Sequence, residues 1–168
     1  MSGTSGPSLS LASLFAEREA QRRREREAEE QLKQREREEL AAFKKRLEDF
    51  QLDENKVRVV LDRIRRAFDR GETELLLTAF PSDFCSDSGR AIINADLPPI
   101  NKPKEPLADA EPAWIATLPA GGRIVYDYWK ASLKPGGFEF SARILNYKEG
   151  RPGDIGLFFS WPKSAPNA

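Results

Sequence analysis

"FEFSARILNY" (138–147) and "DIGLFFSW" (154–161) are separated by "KEGRPG" (148–153). In the first segment Phe138, Phe140, Ala142 and Ile144 alternate with Glu139, Ser141, Arg143 and Leu145. In the second, Ile155, Leu157, Phe159 and Trp161 alternate with Gly156, Phe158 and Ser160. A period of two belongs to a strand with one buried face, and the Gly and Pro between the segments supply a turn, so the pattern predicts an antiparallel hairpin. Two strands alone are marginal in water. "ELLLTAF" (74–80), a short apolar run ended by Pro81, reads as a third strand, with a helical turn as its competitor.

Working outward, "DENK" (53–56) has the form of a helix start, with Asp53 as N-cap. The helix it opens reaches about Arg70, with Val57, Val60, Leu61, Ile64 and Phe68 on one face and Gly71 as its C′ residue. "SDFCSDSGRAIINA" (82–95) predicts a further helix capped by Ser82, despite Gly89. Residues 96–119 hold six of the twelve prolines and predict an irregular loop. "GGRIVYDYWKASLK" (121–134) predicts a helix stopped by "PGG". The order α-β-α-loop-α-β-β over 53–163 gives an α+β domain: a small mixed sheet of about three strands, including the C-terminal hairpin, covered by helices. Trp114, Trp129 and Trp161 are expected in or against its core.

Upstream, residues 17–50 carry eleven basic and eleven acidic side chains with no Gly or Pro. Their residue types favour helix, and opposite charges recur four apart: Glu19–Arg23, Arg23–Glu27, Arg26–Glu30, Glu29–Lys33 and Arg35–Glu39. Leu40, Phe43, Leu47, Phe50, Val57, Leu61, Ile64 and Phe68 follow an alternating three-four spacing, broken only at Glu54. The same register run backwards meets only charged residues, so the apolar seam begins at Leu40. The expected organisation is a disordered tail at 1–16, a charged, coiled-coil-like arm at 17–52, the compact domain at 53–163 and a tail at 164–168. Asp53 and Asn55 are expected to break the helix, so that 40–50 folds back on the domain; the alternative is that the seam pairs with a second copy.

Composition narrows the chemistry. Lys+Arg and Asp+Glu are both 27, so nucleic-acid or membrane binding would have to rest on a local patch. With no histidine, the commonest general base and the usual partner of a nucleophilic Ser or Cys are absent. Cys85 is the only cysteine, which excludes an internal disulfide and fits a reducing cytoplasm. The first residues lack a basic n-region, and no apolar run approaches the ~18–20 residues that span a bilayer.

Among candidate sites, Cys85 near a helix start is either a nucleophile or a small core residue, and the lack of a base favours the core. Asp83 and Asp87 could share a hard cation, but acids in a first helical turn are sufficiently explained by capping. "PAGGR" (119–123) could offer backbone amides to a phosphate, yet it matches no P-loop and reads more simply as a turn. Arg58, Arg65, Arg66 and Arg70, with Arg63, form the best local case for phosphate contacts. Arg143, Leu145, Tyr147 and Phe158 on the second hairpin face could stack bases, though no RNP-like motif is present.

The functional expectation is therefore a non-enzymatic binding or scaffolding module without cofactor or metal. It meets a protein partner, or a second copy, through the seam Leu40, Phe43, Leu47 and Phe50. The runner-up is nucleic-acid binding by the arginine face of 56–70. Third is an enzyme free of histidine chemistry, for which no convergent set of groups is visible.

Overall fold

The computed structural model describes residues 6–95 and 110–165. The chain divides into two compact units, Met1–Phe43 and Lys44–Ala168.

The first unit is the body of helix α1, Leu11–Glu48. It begins six residues before the expected start at 17, because Leu11, Ala12, Leu14 and Ala16 are good helix formers and Leu14 N–H already bonds the Ser10 carbonyl at 3.1 Å. No residue of α1 is buried. None of the five expected charge pairs closes to an ion pair; the side-chain links along the helix include Gln21–Glu25 (3.2 Å) and Gln34–Glu38 (3.0 Å). Long exposed side chains lose more entropy in such pairing than the screened attraction returns.

In the second unit, residues 49–53 separate α1 from the next helix, with the expected Asp53 at the restart, whereas Asn55 lies inside that helix. Helix α2, Glu54–Asp69, starts at Asp53, whose carboxylate accepts the Lys56 N–H at 2.8 Å. It ends in a Schellman motif: Gly71 N–H bonds Phe68 O, Glu72 N–H bonds Ala67 O, and Gly71 has a φ of 80°. Strand β1, Glu74–Pro81, follows and leads through a 3-10 turn at Ser82–Phe84 to the short helix α3, Arg90–Ala95. The helix expected across 82–95 is thus replaced over its first half by turns. Ser88 and Gly89 both take positive φ (57° and 85°), which a continuous helix cannot contain. Ser82 is no N-cap; its hydroxyl donates to Pro152 O at 2.8 Å.

Residues 96–109 of the proline-rich loop lie outside the described residues, and so does part of the tail at 164–168. The end of the loop holds a 3-10 turn, Ala113–Thr117, that buries Trp114 and Ile115. Helix α4, Ala120–Tyr128, continues through a π turn (Trp129–Leu133) and a 3-10 turn (Lys134–Gly136) to a stop at Gly137, φ 98°. Strand β2, Glu139–Ile144, then passes through a miniature hairpin of β3 (Tyr147–Lys148) and β4 (Arg151–Pro152) into β5, Asp154–Ser160. Glu149 and Gly150 at the tip both have positive φ, as a type I′ turn requires.

The sheet order is β1-β5-β2. Where a mixed sheet is expected from the sequence, both pairings are antiparallel, because the C-terminal strand slots between the other two. Aligned rows on the inner face are Leu75–Phe159–Phe140, Thr78–Leu157–Ala142 and Phe80–Ile155–Ile144. A bulge between Leu76 and Thr78 lets odd-numbered Leu75 and even-numbered Thr78 and Phe80 share that face. The core joins Ile64, Ala67, Leu133, Phe159 and Trp161, with Phe140 and Phe138 packed against it. Trp161 and Trp129 keep their indole N–H groups bonded, to Glu72 O (2.8 Å) and Phe138 O (3.0 Å). Phe68, expected on the buried face, is 62% exposed, whereas Ala67 is fully buried. The small side chain at 67 lets α2 lie close to the sheet, and that rotation turns Phe68 outward.

Candidate functional site

The residues of the expected seam fall in different settings. Leu40 is 43% exposed, and Phe43 is half-buried at the end of the first unit. Leu47 and Phe50 belong to the second unit, where they pack on α4. A Cβ at Gly121 would lie 2.6 Å from the Leu47 carbonyl oxygen and 3.0 Å from the Phe50 Cβ. The compact unit therefore begins at Lys44 rather than 53, because these two residues form one of its walls. The same contact explains "PAGGR". Its glycines are buried within α4, and Gly121 gives Leu47 room to approach; Arg123 pairs with Glu111 at 3.1 Å. Residues 47 and 50 sit against this helix start.

On α2, Arg58, Arg65, Arg66 and Arg70 are all exposed. Arg70 is forked onto Glu72, with both bonds at 3.2 Å. Arg58 and Arg65 share one shallow groove with Asp53, Glu54 and Asp62. Those carboxylates dilute the positive field that phosphate binding draws on. On the outer sheet face Arg143, Leu145 and Phe158 do come together. The Arg143 guanidinium carbon is 3.8 Å from the Phe158 ring centre and its Nη2 is 2.5 Å from Glu74. Leu145, Leu76 and the Phe158 ring close over Gly156, so Phe158 is buried and offers no open face to a base. Tyr147 stands apart from this cover as an exposed residue of β3.

Cys85 is 3% exposed, and burial pushes its thiol up to about 11, against a weaker opposing hydrogen bond with Thr117. Such a thiol is a poor nucleophile. Asp87 spends both carboxylate oxygens on the backbone amides of Gly89 (3.0 Å) and Ala91 (2.8 Å), which is a capping role. Among the described residues no group of three or more His, Cys, Asp or Glu could hold a metal ion.

One further feature of the second unit was not foreseen from the sequence. A cavity of about 440 Å³ lies between the inner sheet face, α2, α4 and the segment 47–52. Val60, Val125, Leu77, Leu157 and Phe159 give it apolar walls, and Phe50 and Leu52 line it from the connecting segment. Lys56 and Arg63 stand on its α2 edge. No sequence pattern marks such a space, because it arises where half-buried residues of four separate elements fail to meet.

No protein-family model, curated protein or solved structure matches the chain. Among the described residues no helix is long and apolar enough to cross a membrane. At the start of α1, Leu11 (71% exposed), Leu14 and Phe15 (59% exposed) form an apolar cluster at i, i+3 and i+4.

Proposed function

We propose that this chain is a non-enzymatic binding or scaffolding module that engages another protein through helix α1. The observation that carries this reading is a 38-residue helix with no buried residue, which nonetheless presents Leu11, Leu14 and Phe15 to solvent. Over residues 11–42, where every side chain is exposed, the helix draws its stability from propensity and weak surface pairs. Three large apolar side chains one turn apart on such a helix suit the helix-in-groove mode, in which i, i+3 and i+4 residues anchor in an apolar cleft of the partner. Leu40 supplies a second exposed apolar position further along the same helix. The setting we infer is the cytoplasm, where the single free thiol of Cys85 needs no partner.

The test is affinity capture with the tagged full chain, compared with Leu11→Glu/Leu14→Glu/Phe15→Glu and with Arg65→Glu/Arg66→Glu. A protein kept by the second variant and lost by the first supports the reading. A concentration-dependent mass that collapses to monomer in the first variant would identify the partner as a second copy. Loss only in the second variant, with release by nuclease or raised salt, would instead favour nucleic-acid binding by α2.

A further inference from the structure

The cavity of the second unit, at about 440 Å³, falls within the range of roughly 300–1,000 Å³ that small-molecule sites occupy. It is a cleft partly open to solvent, and its surface is predominantly apolar, unlike that of the groove shared by Arg58 and Arg65. Its walls are aliphatic and aromatic. Its charged lining residues are Lys56 and Arg63 alone, with no Asp or Glu.

Both cations have donors to spare. Lys56 Nζ donates to Gln51 O at 2.6 Å and sits 4.7 Å from the Phe50 ring centre, while Arg63 Nη2 donates to Leu76 O at 2.9 Å. Neither forms an ion pair with a carboxylate among the described residues. An ammonium has three donors and a guanidinium five, so each side chain can take a further acceptor. The two residues are seven apart on α2, about 10 Å along its axis, which places positive charge along one edge of an otherwise apolar space. Such a site favours a ligand with an apolar body and an anionic end.

We propose that this cavity binds a small amphipathic carboxylate, its hydrocarbon part against Phe50, Leu52, Val60 and Val125 and its carboxylate at the Lys56–Arg63 edge. The lining residues all belong to the second unit, so the proposal does not rest on the reading of the α1 tip.

Calorimetric titration of the full chain with decanoate and, separately, with decanol tests the assignment. The expected result is saturable one-to-one binding of decanoate, roughly tenfold tighter than decanol, the difference that one charge-assisted hydrogen bond produces. Lys56→Gln/Arg63→Gln should abolish that preference while retaining decanol binding. Val125→Trp should occupy the cavity and remove binding of both ligands with the thermal transition retained. If that variant does not fold, Val60→Phe carries the same expectation. Absence of saturable decanoate binding, equal affinity for acid and alcohol, or unchanged binding in a folded cavity-filled variant would each overturn the proposal.

Discussion

Phe140 shows how a half-buried residue can organise a core. Its ring centre lies 5.6–6.0 Å from those of Trp114, Tyr126, Trp129 and Phe159, so one side chain of β2 links the 3-10 turn, α4, the π turn and β5. Phe140→Ala should cost about 3 kcal/mol, the low end for such a truncation because the ring is not fully enclosed. A chemical-denaturation midpoint that barely moves would show the aromatic cluster to be dispensable. Cys85 makes a pH-dependent prediction. Its thiol titrates near 9.0 when unperturbed and near 11 in the fold. The neutral form is favoured by folding, so this contribution is complete below about pH 9 and is lost as pH rises through about 11. Integrated over that shift it amounts to about 2–3 kcal/mol. Cys85→Ala should therefore be the less stable protein at pH 8, by its missing packing, and the gap should narrow by pH 11. A gap constant with pH would mean that the thiol is not buried as the fold places it.

At the scale of elements, adjacent glycines in α4 have different tasks. A Cβ at Gly121 collides with the Leu47 backbone, whereas one at Gly122 meets only the Leu118 side chain, at 3.2 Å. Gly121→Ala should destabilise by about 1–3 kcal/mol through overpacking. Gly122→Ala should be near neutral, because better helix propensity, worth about 1 kcal/mol, offsets a small adjustment of Leu118. Equal melting temperatures for the two variants would rule out the close approach of residues 47–50. The sequence announced the elements whose signals are local. Asp53 and Gly71 mark the ends of α2, and the alternation of Phe140, Ile155, Leu157 and Phe159 marks the inner face of β2 and β5. It did not announce what depends on distant partners. The bulge beside Leu77 hides inside an apolar run that fits any register, and the central place of β5 is hinted at only by Phe158, an apolar residue on its other face. The positive φ of Ser88, which interrupts the expected helix, sits in a local turn where Ser88 N–H bonds Cys85 O and Asp87 caps the amides of Gly89 and Ala91. At the candidate sites the arginines of α2 were legible as residues. The cavity itself was not.

For the whole molecule, the division of labour can be tested by cutting the chain. Among the described residues every large fully buried side chain lies beyond residue 79, and α1 buries none. A chain beginning at Lys44 should unfold cooperatively at nearly the full-length temperature, while its helical circular dichroism falls with the loss of most of α1. A chain beginning at Asp53 should behave differently, because it also lacks Leu47, Phe50 and Leu52. These line the cavity, and the first two lie against Gly121. Fully burying one such side chain contributes about 1.5–3 kcal/mol, and Leu47 and Phe50 are half-buried, so their joint removal should cost roughly 2–3 kcal/mol. The shorter chain should also lose decanoate affinity, since the segment that encloses the ligand is gone. The Lys44 chain should keep that affinity and lose the protein partner of α1. If instead the Lys44 chain is insoluble or unfolds without cooperativity, α1 is a structural part of the domain, and the reading of it as a docking element falls.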